Sequence, residues 1–239
     1  MASFLVEGGQ ALSGTIRPAG NKNAALPAIA ASLMGSGPTT LKNIPRILDV
    51  NTMLEITESL GAEVTWKDQN IVCIDPRSVG SGTVDESQAR RIRASLLLAG
   101  PLLARFGYVR LPPPGGDVIG RRRMDTHFLA LEALGAKVTL NSGFEIQCDR
   151  LRGANIFLDE PSVTATENTI MAAVLAEGET WIRNAASEPH VQDLCHLLKA
   201  MGAEIEGIGT NQLRILGVKV LDGATFTIGS DHIETGSFI

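Results

Sequence analysis

The amino-acid sequence predicts an α/β protein built from repeats of one strand–helix–strand–helix–strand–strand unit, and three regularities carry that expectation. A Leu/Met-Gly-Ala signature, continued by a charged and an apolar residue, recurs at Leu60-Gly61-Ala62-Glu63-Val64, Leu134-Gly135-Ala136-Lys137-Val138 and Met201-Gly202-Ala203-Glu204-Ile205, its glycines 74 and 67 residues apart. A second glycine marker opens short strands at Gly14-Thr15-Ile16, Gly82-Thr83-Val84, Gly153-Ala154-Asn155-Ile156 and Gly223-Ala224-Thr225-Phe226, at spacings of 68, 71 and 70 residues. Helical and strand patterns alternate between the markers. Two markers in phase mean one supersecondary unit used repeatedly, and the alternation means an α/β architecture.

In chain order, the first helices of the three units are expected at about Asn23–Met34, Gln88–Ala104 and Thr166–Ala176. The second helices follow from amphipathic stretches at Val50–Ser59, Met124–Ala133 and Val191–Ala200. Each runs into the Leu/Met-Gly-Ala signature, where glycine suits a helix C-terminus and the next residues begin a strand. Closing strands are expected at Ile71–Ile74, Phe144–Cys148 and Gln212–Leu216. Gly223 then opens a fourth unit whose first helix should develop across Asp231–Ile239, and Phe4-Leu5-Val6 reads as the closing strand of a unit whose beginning is absent. The expected division is therefore one domain over 14–221, with 1–13 and 222–239 as edge pieces of a second, truncated domain. Exposed strand edges would result, which proteins normally avoid.

Composition narrows the function. Of the 239 residues, 44% are apolar and 20% charged, as in ordinary globular proteins. With only 4% aromatic residues, the core must rest on Ala, Leu, Ile and Val. A net charge of −5 argues against an extended nucleic-acid surface. The longest apolar runs, Ala24–Met34 and Ala94–Ala104, fall short of the roughly 20 residues a membrane span needs. The start Met-Ala-Ser-Phe-Leu-Val-Glu lacks the basic and apolar regions of a signal peptide, so a cytoplasmic location is expected. Cys73, Cys148 and Cys195 are too scattered for a metal site and read as reduced thiols. His127, His190, His196 and His232 have no metal spacing, no phosphate-loop motif occurs, and no cofactor is expected.

One loop departs from the repeat. The link from middle strand to second helix takes about six residues in unit one (Asn43 to Leu48) and unit three (Asn184 to Pro189), but about twelve in unit two (Pro112 to Arg123). Function concentrates in long loops on rigid scaffolds. Prolines stiffen one side of this loop, Gly115, Gly116 and Gly120 allow unusual backbone angles or close approach to a ligand, and Arg121-Arg122-Arg123 concentrates charge that an anion would offset. Asn21-Lys22-Asn23 and Arg90-Arg91-Ile92-Arg93 add basic residues near the starts of first helices, where anions are favoured. The corresponding stretch of unit three, Ser162 to Asn168, offers hydroxyl and amide groups that serve either helix capping or a polar ligand.

Asn21-Lys22-Asn23-Ala24-Ala25-Leu26-Pro27, Arg93-Ala94-Ser95, Gly115-Gly116-x-x-Ile119-Gly120-x-Arg122 and Asp231-x-Ile233-Glu234-Thr235-Gly236 occur in that order along essentially the whole chain. Together they resemble the UDP-N-acetylglucosamine enolpyruvyl transferases, which open peptidoglycan synthesis and are related to enolpyruvylshikimate-phosphate synthase. The resemblance implies two inside-out α/β barrels of three units each, with the active site between them and the N-terminal strand in the second barrel. It implies transfer of the enolpyruvyl group of phosphoenolpyruvate to the 3-hydroxyl of UDP-N-acetylglucosamine, the other half of the enzyme being the partner that supplies the base. On that basis Lys22 and Arg122 hold phosphoenolpyruvate and Asn23 orients reacting groups. Arg93 contacts the sugar nucleotide, and Arg123, Met124 and Asp125, with Glu160, Pro161, Ser162 and Val163, line the uridine pocket.

This sequence departs from the family pattern at four of these places. Asp117 stands where the loop usually carries Cys, Glu160 where Lys is common, Thr164 where Gly is common, and Arg123 where Pro is usual. Asp117 is expected to act as the general acid, with resistance to epoxide antibiotics that alkylate the cysteine. Two alternatives remain at this stage: a paralogue with another acceptor, and a non-catalytic nucleotide- or anion-binding domain.

Overall fold

The computed structural model describes residues 3–9, 11, 13–116 and 123–239. Unit one comprises α1 (Lys22–Ser32), β1 (Thr39–Lys42), α2 (Leu48–Ser59), β2 (Glu63–Asp68) and β3 (Ile71–Asp75). Unit two comprises α3 (Glu86–Ala89), a 3₁₀ segment (Arg93–Leu98) running into α4 (Ala99–Phe106), then β4 (Tyr108–Leu111), α5 (Asp125–Ala133), β5 (Lys137–Leu140) and β6 (Phe144–Gln147). Unit three comprises β7 (Asn155–Phe157), α6 (Val163–Ala173), β8 (Glu179–Arg183), α7 (Pro189–Ala200), β9 (Glu204–Glu206) and β10 (Gln212–Leu216), followed by β11 (Thr225–Thr227) and α8 (His232–Phe238). The expected first helix of unit two is thus broken into three pieces. Pro101 explains part of this: it supplies no N–H for an uninterrupted α-helical ladder, and it falls early in α4, where that loss is tolerated.

The Leu/Met-Gly-Ala signature does what its sequence suggests. Gly61, Gly135 and Gly202 adopt φ of 105°, 97° and 106°, the left-handed turn that ends α2, α5 and α7 and sends the chain into β2, β5 and β9.

Three sheets result, with strand orders β11-β1-β3-β2, β4-β6-β5 and β7-β8-β10-β9. Burial alternates along β1, β4, β8 and β10, so each sheet turns one face to the core and one to solvent. The core itself is helical. α1 and α6 are buried along nearly their whole lengths; α1 packs on α2 and α7, and α6 packs on α4 and α5. Their Ala-rich faces allow the close approach that a core with few aromatic side chains requires. Arg105 ties this core together, donating to the carbonyl of Leu33 at the end of α1 (2.6 Å) and to that of Pro76 (2.8 Å).

The opening glycines have a steric reason. A Cβ at Gly82, Gly153 or Gly223 would collide with the carbonyl oxygen of Tyr108, Glu179 or Pro38, each at the start of a middle strand. A Cβ at Gly14 would meet nothing within 4 Å, and Gly14-Thr15-Ile16 forms no strand. The place expected for it is taken by β11, which runs parallel to β1 with Thr40 opposite Thr225, as β7 runs parallel to β8. Two asparagines mark the equivalence. Asn43 and Asn184 both adopt φ 58° and donate to the carbonyls of Ile228 and Leu158, the residues just beyond β11 and β7. Residues 222–239, grouped by sequence as an edge piece, therefore contribute Thr225–Thr227 to the first sheet. Phe4, Leu5 and Val6 form no strand and are exposed. An antiparallel bridge between Gly20 and Ser230 brings the entry and exit of 21–229 side by side.

Candidate active site

α1 begins at this bridge. The Asn21 side chain caps the helix by accepting from the Asn23 N–H (2.7 Å), while the Asn21 N–H donates to the Gly229 carbonyl (2.9 Å). Lys22 is thereby fixed in the first turn, where its ammonium meets Asp49 in the first turn of α2 at 2.9 Å. Both side chains are about two-fifths exposed (42% and 40%), so the pair remains open to exchange for another anion.

A second cluster gathers most of the remaining expected residues. The Arg123 guanidinium grips both oxygens of Asp125, reaches Asp159 at 2.5 Å and lies 3.9 Å from Glu160. The Thr126 hydroxyl donates to the other oxygen of Asp159 at 2.7 Å. These contacts hold the Asp125 carboxyl below its ordinary range, chiefly through Arg123, and that of Asp159, chiefly through Thr126 and then Arg123. Arg93, the first residue of the 3₁₀ segment, joins the cluster by donating to the Arg123 carbonyl at 3.5 Å. Met124 packs against the core, and Pro161 leads into α6, where Ser162 caps the helix by accepting from the Ala165 N–H. Val163 is the first helical residue.

Behind the cluster lies a relay in which Thr164 and Asn168, from the polar stretch noted in the sequence, meet His127, which the sequence did not single out. His127 on α5 is 2% exposed. One ring nitrogen, Nδ1, is 3.0 Å from the Asn168 amide nitrogen, and the other, Nε2, is 3.1 Å from the Thr164 hydroxyl. Burial, with help from nearby Arg93, lowers the His127 pKa to about 4 and keeps the ring neutral near pH 7. The detectable signal was the run Thr166-Glu167-Asn168-Thr169, four consecutive polar residues in a stretch of α6 that is buried throughout. Asp49 and Asp159 also escaped notice, because neither belongs to a motif and each is brought in by tertiary contact.

Other expectations are corrected. Arg90 and Arg91, basic residues near a helix start, pair with Glu86 (2.7 Å) and Glu55 (2.5 Å). The close approach anticipated for the loop glycines is to the chain itself: a Cβ at Gly115 would collide with the Arg90 carbonyl, and Gly116, at φ 86°, packs on the Arg93 N–H. β4 ends at Leu111 and α5 begins at Asp125, a longer separation than Lys42 to Leu48 or Arg183 to Pro189 in the sibling units, so the insertion is real. Asp117 and Arg122 lie outside the described residues. α1 and the 3₁₀ segment that begins at Arg93 pack together and so link the Lys22–Asp49 pair to the Arg123 cluster. Among the described residues no helix is long and apolar enough to cross a membrane.

Comparison with known proteins places the chain in a family. The chain is 58% identical over 236 residues to a UDP-N-acetylglucosamine 1-carboxyvinyltransferase of Bradyrhizobium diazoefficiens, covering 99% of the chain and 55% of that relative. It is 55% identical to the enzyme of the same description from Treponema denticola, covering all of the chain and 56% of the relative. The chain thus spans about half the length of the curated relatives it matches. In structure it superposes on the enolpyruvyl transferase NikO from Streptomyces tendae with a TM-score of 0.84 at 22% identity, covering 97% of the chain and 55% of NikO. On an EPSP synthase from Acinetobacter baumannii the TM-score is 0.73 at 20% identity, covering 94% of the chain and 51% of that protein. Its sequence also matches EPSP synthase (3-phosphoshikimate 1-carboxyvinyltransferase) from residue 6 to residue 239, and the chain belongs to that family.

Proposed function

We propose that this chain supplies one wall of an enolpyruvyl transferase site, moving the enolpyruvyl group of phosphoenolpyruvate to the 3-hydroxyl of UDP-N-acetylglucosamine. The observation that carries this reading is the meeting of Arg93, Arg123 and the start of α6 on one wall, in a chain alike along its whole length to 1-carboxyvinyltransferases acting on that sugar nucleotide. In the addition step the sugar oxygen bonds to C2 of phosphoenolpyruvate while a proton is delivered to C3, giving a tetrahedral intermediate. In the elimination step phosphate leaves C2 and C3 returns a proton, restoring the vinyl group. An acid for C3, a base for the hydroxyl and cations around phosphate and carboxylate are what this chemistry requires.

In this reading Lys22 and Arg122 hold phosphoenolpyruvate, with the cap at Asn21 fixing the direction of Lys22 and Asn23 orienting the reacting groups. Arg93 and the segment from Arg123 to Asp125 meet the sugar nucleotide together with Glu160 to Val163. Asp117 is the general acid, and the base comes from the remaining half of the enzyme. The architecture proposed is an inside-out α/β barrel of three units over about 14–221, closed by β11, with 1–13 and most of 222–239 reaching toward a second barrel. A cytoplasmic site of action, at the start of peptidoglycan synthesis, follows from the same reading.

The test is phosphate release from phosphoenolpyruvate by the 239-residue chain, alone and mixed with the remaining half of a relative, with and without UDP-N-acetylglucosamine. Release that needs both the added half and the sugar nucleotide supports the proposal. Release indifferent to the sugar nucleotide points to a different acceptor. No release in any mixture, with no nucleotide binding, refutes it.

A further inference from the structure

Thr164 is the third member of the buried relay, and its hydrogen bonding can be read from the fixed groups behind it. The Asn168 amide oxygen accepts from the Gly100 N–H at 2.8 Å, and its nitrogen donates to the Leu96 carbonyl at 2.9 Å. A backbone N–H can only donate and a carbonyl can only accept, so the amide has one possible orientation. Its second N–H therefore points at His127 Nδ1, 3.0 Å away, which must be the unprotonated nitrogen. The proton of the neutral ring sits on Nε2 and is donated to the Thr164 hydroxyl oxygen at 3.1 Å.

With one lone pair thus occupied by a buried donor, the Thr164 hydroxyl hydrogen is turned away from His127. Thr166 and Thr169 on the same helix spend theirs on the carbonyls of Ser162 and Ala165. Among the described residues Thr164 makes no such bond, and its side chain is exposed at the mouth of the cluster. Around it stand Arg93, close enough to act on the charge of His127, and the first turn of α6, whose Val163 and Thr164 N–H groups have no intrahelical acceptor.

We propose that the Thr164 hydroxyl, aimed by the Asn168–His127 relay, is a hydrogen-bond donor to an oxyanion of the bound nucleotide sugar. His127 is then a positioning residue, acting only through Thr164. This inference rests on the nucleotide-sugar reading above and adds a specificity contact to it. A diphosphate oxygen fits this end of α6, since the first-turn N–H groups and the Arg93 guanidinium donate while the Asp125, Asp159 and Glu160 carboxylates of the cluster are engaged or faced by Arg123.

Titration calorimetry of UDP-N-acetylglucosamine, and of UDP, into the chain and its Thr164→Val and Thr164→Ser variants tests the idea. Losing a hydrogen bond to a charged oxygen should weaken binding about tenfold or more in Thr164→Val, while Thr164→Ser stays within about twofold. Nitrogen-15 NMR of the His127 ring should show the proton on Nε2. Equal affinities for the wild type and Thr164→Val, with an altered melting temperature or without one, would leave Thr164 a helix residue and overturn the inference alone. A proton on Nδ1 would overturn it as well. Absence of any wild-type binding would overturn the nucleotide-sugar reading together with it.

Discussion

Glu167 offers a sharp test of the physical picture of α6. Its side chain is 1% exposed, and Oε1 has no hydrogen-bond partner among the described residues. Burial first, and then the charge of Glu188 at the start of α7, raise its carboxyl well above the ordinary 4.5. The unfolded chain gives up this proton near 4.5, whereas the folded chain keeps it to a higher pH. Stability from this group is therefore complete below 4.5 and is lost as pH rises toward the folded value. Within that window the loss is about 1.4 kcal/mol per pH unit.

Glu167→Gln replaces the protonated acid with a neutral group of the same shape. Its stability relative to the wild type, from urea unfolding at about pH 5, 6 and 7, should grow by roughly 1.4 kcal/mol at each step until the folded value is passed. His127 acts in the opposite sense. Its folded value of about 4 lies below the ordinary 6.5, so it penalises folding as pH falls between them. Both proteins carry that term, and it cancels in the difference. Glu188→Gln should leave the slope unchanged and only end it at a somewhat lower pH, because Glu188 is the smaller cause of the shift. A gap between wild type and Glu167→Gln that does not change with pH would refute the reasoning, because it would mean that the carboxylate is charged and solvated in the fold.

Asn168→Ala leaves the Gly100 N–H, the Leu96 carbonyl and His127 Nδ1 unpaired in the core, and should cost about 3 kcal/mol or more in urea unfolding; a loss below about 1 kcal/mol would contradict the relay. Arg105→Leu strands two buried carbonyls, those of Leu33 and Pro76, and should cost about 2 kcal/mol in the same assay. Lys22→Met removes an ion pair that is largely open to water, so stability should change by less than about 1 kcal/mol. Phosphate release by the chain with its complementing half should nevertheless fall to background, and retained release would remove Lys22 from the proposed site.

The repeat was legible because its glycines answer local demands. Gly61, Gly135 and Gly202 turn left-handed after a helix wherever the signature occurs, and helix and strand periods flank them. What local pattern could not reveal was which marker belongs to which sheet. Gly14 and Gly223 look alike in sequence, yet only Gly223 packs against the carbonyl of Pro38, a contact set by the pairing of β11 with β1 and not by neighbours in the chain. The candidate site divides the same way. Lys22, Arg93 and Arg123 stood out by type and by proximity to helix starts, whereas Asp49 and Asp159 are ordinary surface acids until the fold brings them to a cation. His127 was visible only as a histidine without metal spacing, since its meaning lies in Asn168 41 residues away.

The pairing of β1 with β11 bears on how the chain is made. Thr40 finds Thr225 only after a further 185 residues have been added. At about 5–20 residues per second, a ribosome needs on the order of ten to forty seconds to supply them. Over that interval one edge of β1 has no native neighbour and is open to foreign strands. The third sheet, whose strands all lie between Asn155 and Leu216, faces a much shorter wait. Nascent chains arrested before Thr225 should therefore be more sensitive to protease around Thr39–Lys42 than chains arrested well past Ile228, since the last strand made is the one that completes the first sheet.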